Sequence, residues 1–196
     1  MLVLIMKKAK ILESYRSELL AQSKLLIDMD LQKIFNLAND IKDVFLRGNR
    51  VYFFGNGGSA SEAGHLATEF VSKCRFNHEP LPSISLSDSI SNLTAIANDY
   101  GFENVFSRQV QAFVKEGDLV IGLSTSGTSR NVINGLSESV NFGARAMLWT
   151  GNLKNNIEGV EVWESNAVAT SRIQEIHLTW GHILVEFVEL LLVEKK

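Results

Sequence analysis

The chain has 196 residues, of which 45% are hydrophobic and 21% charged, with a formal net charge of −3 and one cysteine. This length and composition fit one compact domain with a sizeable core, or one domain with a helical appendage, and leave no sign of disorder. The acidic balance sets aside a general nucleic-acid surface but not a local anion site built from backbone dipoles. Cys74, being alone, excludes an intrachain disulfide framework, reads as an inert small residue and fits a reducing cytoplasm.

The opening "MLVLIM" is shorter than a signal-peptide core and precedes its lysines instead of following them, so no export signal is expected. No stretch reads as a membrane span. From Lys7 to Phe45, apolar residues recur at helical spacing (Ile11, Leu19, Leu20, then Leu31, Ile34, Phe35, Ala38, Ile41, Phe45), with Asp28 to Asp30 as a break; two helices are predicted, at about 7–48. Next come short aromatic and β-branched runs: "RVYFFG", "LPSISLS", "DLVIGLS", "ARAMLWTG" and a weaker "GVEVWES". Helical patterns separate most of them. Strands alternating with helices predict a parallel sheet covered on both faces, with ligands beyond the carboxyl ends of the strands. A last helix, roughly Ser171 to Val193, has more apolar positions than one face holds, and a second chain is expected to cover the remainder.

Two loops each follow a predicted strand and open a predicted helix: "GNGGS", Gly55 to Ser59, and "STSGTS", Ser124 to Ser129. Glycine lets backbone approach a ligand, hydroxyls donate hydrogen bonds, and a helix N-terminus presents unpaired N–H groups with a favourable dipole. Helix capping is the plainer alternative: Ser59 with Glu62 spells an S-x-x-E capping box, and "SGTS" an ordinary turn and cap. The pairing of two such loops at equivalent strand ends favours phosphate or sugar binding. Neither loop is a Walker A sequence or a G-x-G-x-x-G fingerprint, so a nucleotide is not the leading ligand.

His65 and Glu69, at i and i+4, share one helical face. In the last helix Gln174, His177 and His182 supply further donors; His182 lies among Trp180, Ile183 and Leu184, where a buried histidine with a backbone or carboxylate partner is the ordinary explanation. No HExxH motif is present, and spacing alone identifies no metal.

"GNGGSASEAGHLATEF", "AIANDYGFENVFSRQV", "EGDLVIGLSTSGTSRNVI" and "SRIQEIHLTWGHILVEFVE" together resemble the phosphoheptose isomerases, the sedoheptulose 7-phosphate isomerases of the sugar isomerase (SIS) fold, over most of the chain. The resemblance implies an α/β fold in which residues 1–196 form a single SIS domain. Its parts are a five-stranded parallel sheet flanked by helices, an N-terminal helical segment, and a cytoplasmic homotetramer with active sites shared between subunits. It implies conversion of D-sedoheptulose 7-phosphate to D-glycero-D-manno-heptose 7-phosphate, with a phosphosugar as partner and neither nucleic acid nor membrane. By the same resemblance Asn56, Gly57, Gly58, Glu69 and Gln174 contact substrate, Asn98 and Asp99 contact the sugar, and Ser124, Thr125, Ser126 and Ser129 hold the phosphate. His65, Glu69, Gln174 and His182 match the zinc site, one ion per subunit, and Glu69 and His182 are the catalytic pair. Such chemistry needs a base and an electrophile, because a proton moves between adjacent carbons through an enediolate.

Three departures from the family pattern stand out. Several members carry an aspartate where this chain has Ser171, arginine is common where it has Lys73, and "NLKNNIEGVE" is shorter than the usual loop after the fourth strand. Lysine offers a point charge in place of a bidentate fork. Some relatives keep this fold and act only through protein contacts, for instance on a replication initiator; they typically lack the glutamate and the late histidine, whereas this chain has Glu69 and His182. An isomerase of another phosphosugar is the remaining alternative.

Overall fold

The computed structural model describes residues 2–153 and 156–193, with side chains from residue 7 onward. They fall into two compact units, 1–30 and 31–196. The first holds helix α1 (Leu2–Ile27). The chain leaves it through the expected break at Asp28 to Asp30 and enters α2 (Leu31–Leu46), where Ile34, Ala38 and Ile41 are buried as the spacing predicts, joined by Leu37 and Val44, whereas Leu31 and Phe35 are exposed and Phe45 is half-buried.

The second unit continues with β1 (Val51–Gly55), α3 (Gly58–Val71), β2 (Ser83–Ser85), α4 (Ile90–Tyr100), a 3₁₀ turn at Phe102–Asn104, and α5 (Ser107–Phe113). Then come β3 (Leu119–Ser124), α6 (Arg130–Asn141), β4 (Arg145–Thr150), β5 (Val160–Glu164) and α7 (Thr170–Val193). The five strands make one sheet in the order β2-β1-β3-β4-β5, parallel throughout. Every residue of β1 and β3 is buried, as expected of central strands covered on both faces.

Register decides which residues share a face. Tyr52 pairs with Val120 and Val120 with Ala146, so these side chains point one way, into a core completed by Phe106 and Val110 around α5 and by Val132 and Leu136 of α6. Phe53, Ile121 and Met147 point the other way, where Phe53 stacks on Phe70 of α3 at 6.1 Å. On that face Trp149 and Trp163 stack at 5.9 Å, and Trp180 of α7 meets both edge-on.

Three expectations need correction. The second strand is Ser83–Ser85 and not the whole of "LPSISLS": Pro82 has no N–H to give, though its carbonyl accepts from Val51, and after Ser85 the chain bends so that Ser87 brackets Gly55. By length and composition α7 is apolar enough to cross a membrane; its stripe from Ile173 through Trp180 to Val188 is buried, which accounts for that apolarity as a core helix. The capping box also fails, because the N-cap of α3 is Gly57 and not Ser59. In the shortened loop after β4, Lys154 and Asn155 lie outside the described residues.

Candidate active site

The strand order reverses direction between β1 and β3, and open parallel sheets bind ligands in the crevice at such a switch point. The two glycine–serine loops leave these two strands. Gly55, the last residue of β1, pairs with Leu123, one residue before the end of β3.

The loops are braced to each other by side chains. Asn56 and Asn131, the latter in the first turn of α6, exchange two amide hydrogen bonds of 2.9 and 2.8 Å. Asn131 is buried. The sequence reading passed over it, although an asparagine in the first turn of a loop-opened helix is a signal for such a brace. Ser87 is a second residue it missed: its hydroxyl accepts from Gly55 N at 3.1 Å and donates to Gly55 O at 3.0 Å, fixing the root of the first loop.

Neither loop spends its serines on capping. The N-cap of α6 is Ser129, whose side chain caps nothing and instead accepts from the Ser124 hydroxyl at 3.1 Å. Ser126 is exposed, and its oxygen accepts from Thr128 N at 3.2 Å and from the Thr128 hydroxyl at 3.0 Å, while Thr125 ties the loop to Gly151 through its carbonyl. In the first loop Gly57 has φ +55, a conformation that favours glycine, and a Cβ on Gly58 would stand 2.3 Å from the Gln174 amide. Gln174 of α7 therefore lies directly against the start of α3.

Farther along the same two helices, His65 and Glu69 of α3 meet His182 of α7. The Nε2 atoms of His65 and His182 are 2.8 Å apart with the rings edge to face, and Glu69 Oε1 is 3.5 Å from His65 Nε2. Ligand atoms of all three residues lie within 4.8 Å of one another, a group that could hold a metal ion. Nitrogen and oxygen ligands about 2.0–2.2 Å from a tetrahedral ion stand roughly 3.3 Å apart, close to the separations of His65 Nε2 from the other two residues. Side chains of His65 and Glu69 are 43% and 17% exposed, open enough for a ligand to reach them.

The roles of the α7 histidines are reversed from the plainest reading. His177 is the buried one, with Nε2 facing the Thr150 carbonyl at 3.3 Å, and burial lowers its pKa to about 4. His182 faces His65. On α3, Glu62 is also buried, and neither carboxyl oxygen has a hydrogen-bond partner. Burial raises its pKa to about 7, an effect the nearby Ser59 hydroxyl only partly offsets. The Cys74 thiol is pushed up to about 11, first by burial and then by the charges of Glu69, Glu189 and Glu186, which suppresses its reactivity.

The other predicted residues are more scattered. Asn98 and Asp99 lie exposed on the last turn of α4 and bond to each other at 2.8 Å. The turn that follows reaches α6, where Asn134 donates to the Glu103 carbonyl. Ser171 is exposed in the first turn of α7, and the exposed Lys73 contacts Asn77 at 3.3 Å.

An all-parallel sheet with paired anion-type loops at its switch point and a His/Glu/His group beside them defines a class, and the chain matches the SIS domain family over residues 14–151. It is 41% identical over 171 residues to a phosphoheptose isomerase of Aquifex aeolicus, covering 86% of this chain and 90% of that one. It is 41% identical over 173 residues to another from Roseiflexus, with 86% and 87% covered. The solved phosphoheptose isomerase of Neisseria gonorrhoeae superposes with a TM-score of 0.82 at 27% identity, over 93% of this chain and 98% of that one. The chain belongs to the phosphoheptose isomerase family of SIS-domain proteins.

Proposed function

We propose that the protein is a phosphoheptose isomerase that converts D-sedoheptulose 7-phosphate to D-glycero-D-manno-heptose 7-phosphate, supplying heptose for lipopolysaccharide or capsule precursors. The observation that carries this reading is the meeting of His65 and Glu69 with His182, on the two helices whose starts, Gly58 and Gln174, touch beside the first loop. Relatives named for the activity support it, at 41% identity over most of the chain.

In this reading the hydroxyls of Ser124, Thr125, Ser126 and Ser129 and the N-terminus of α6 hold the phosphate. Asn56, Gly57, Gly58 and Gln174 line the sugar, with Asn98 and Asp99 as further contacts. Glu69 and His182 carry the proton from C1 of the ketose to C2. His65, Glu69, Gln174 and His182 would hold one zinc ion per subunit, which when bound supplies a Lewis acid for the substrate carbonyl. A carboxylate that serves both as ligand and as proton carrier is a weaker base, so the two roles fall more readily to different moments of the cycle. The assembly is read as a cytoplasmic homotetramer with shared sites, acting on a small phosphosugar and not on nucleic acid or membrane.

The test is an isomerisation assay with sedoheptulose 7-phosphate on protein as purified, after chelation, and after zinc is restored. Turnover lost on chelation and recovered with zinc is expected. Full activity in verified metal-free protein would leave Glu69 and His182 as a metal-independent pair. Turnover of a different phosphosugar alone would reassign the substrate.

A further inference from the structure

Seven residues beyond His182 on α7, Glu189 is wholly buried. Its carboxylate gathers three consecutive backbone donors from the segment that follows α3: Cys74 N at 2.7 Å, Arg75 N at 3.0 Å and Phe76 N at 2.9 Å. His78, its side chain 2% exposed, faces the same carboxylate through Nε2 at 3.2 Å. One turn earlier on α7, Glu186 pairs with the Arg75 guanidinium at 3.1 Å. A buried carboxylate is tolerable only with such a set of partners, and a run of backbone N–H groups closing on one anion fixes that backbone tightly.

What the clamp holds gives it a consequence for the site. Cys74, whose N–H makes the shortest of the three bonds, stands three residues beyond Val71, the end of α3. Glu189 thus ties the segment at the end of α3, which carries His65 and Glu69, to α7, which carries His182. We propose that Glu189 is a positioning residue for the His65/Glu69/His182 centre: through the clamped backbone of Cys74 to Phe76 it sets the end of α3 against α7, and so His65 and Glu69 against His182. This rests on the metal-centre reading above. Partners that orient a ligand from behind typically contribute 10–100-fold in metal affinity.

Cobalt(II) is the probe, because its visible absorption reports ligand geometry without any turnover. Affinity and spectrum are measured for the intact protein and for Glu189→Gln and Glu189→Asp, with circular dichroism and thermal unfolding alongside. Glu189→Gln keeps the shape but turns an amide donor toward backbone donors; it is expected to bind at least about tenfold more weakly, with an altered spectrum. Glu189→Asp keeps the charge but draws it back by one methylene from the three N–H groups, and is expected to shift the spectrum the same way to a smaller degree. Wild-type affinity and spectrum in Glu189→Gln would overturn the positioning role and leave the metal centre standing. So would a lowered unfolding temperature with an unchanged spectrum. Should Glu189→Gln fail to fold, wild-type affinity and spectrum in Glu189→Asp overturn the positioning role by themselves. Absence of stoichiometric binding to the wild-type protein would remove the centre and the inference together.

Discussion

Glu62 and His177 are buried ionisable side chains that pull stability in opposite directions with pH. The His177 pKa falls from 6.5 to about 4, so the folded protein refuses a proton that the unfolded chain accepts; the stability this represents is present above pH 6.5 and is lost as pH falls toward 4. The Glu62 pKa rises from 4.5 to about 7, so its contribution is full below pH 4.5 and is lost as pH rises through 7. Each shift corresponds to about 3 kcal/mol at its limit, since one unit is about 1.4 kcal/mol. Denaturant unfolding of Glu62→Gln from pH 5 to pH 8 should therefore show a variant stabilised by up to a few kcal/mol at pH 8 and little changed near pH 5. A loss of stability at both ends would mean that the Glu62 carboxylate has a partner it needs. At the centre itself, Glu69→Gln and His182→Ala should each lower turnover by about 10²–10⁴-fold, the usual range for a lost proton-transfer group. Measured together, the two changes should cost little more than the worse one, because residues acting as a unit are not additive.

Among the elements, what could be read from the sequence is what local spacing encodes. The aromatic and β-branched runs ending in Gly55 and Ser124 became the two central strands, and the apolar spacing of α2 and the break before it appear where expected. The second strand was overestimated because edge pairing stops where Ser87 turns back onto Gly55, an interaction between residues 32 apart in sequence that no local pattern reveals. The same limit applies to the site. The i, i+4 spacing of His65 and Glu69 was legible in the residues, but His182 arrives from 117 residues away, and only the resemblance joined it to them. Asn131 was missed for the same reason, since its partner Asn56 is 75 residues distant. Asn131→Ala should leave the Asn56 amide half-buried without its partner, at about 1–3 kcal/mol of stability, and loosen both loops. Kinetics should show a raised KM with a smaller change in kcat. Ser126→Ala is its complement: an exposed hydroxyl whose loss should weaken phosphosugar binding by about 1–3 kcal/mol while thermal unfolding barely moves. An unchanged KM would remove Ser126 from the phosphate site.

For the whole molecule, apolar surface is the quantity that needs an owner. On α1, Ile11, Leu12, Tyr15 and Leu19 are each about half exposed, at 49%, 48%, 57% and 48%, and Leu20 and Ile27 more so. In the other unit Leu31, Ile90, Tyr100 and Phe102 are exposed as well, along with Leu190 and Val193 near the end of α7. Water-soluble monomers rarely leave apolar rows at helical spacing uncovered, whereas closed symmetric oligomers bury them against copies of themselves. A second copy is the natural cover, and sedimentation at micromolar concentration should give the mass of a tetramer. The sharper test separates assembly from folding. Leu12→Glu combined with Leu19→Glu puts two like charges on the α1 row and leaves every residue of the sheet, the loops and the His65/Glu69/His182 group unsubstituted. The expected result is a smaller species with unchanged helical content, still able to bind metal, since His65, Glu69 and His182 come from one chain. Its turnover then decides whether sites are shared. If Asn98 and Asp99 serve a neighbouring subunit, dissociation should abolish isomerisation while metal binding persists, and a fully active monomer would show that each subunit holds a complete site.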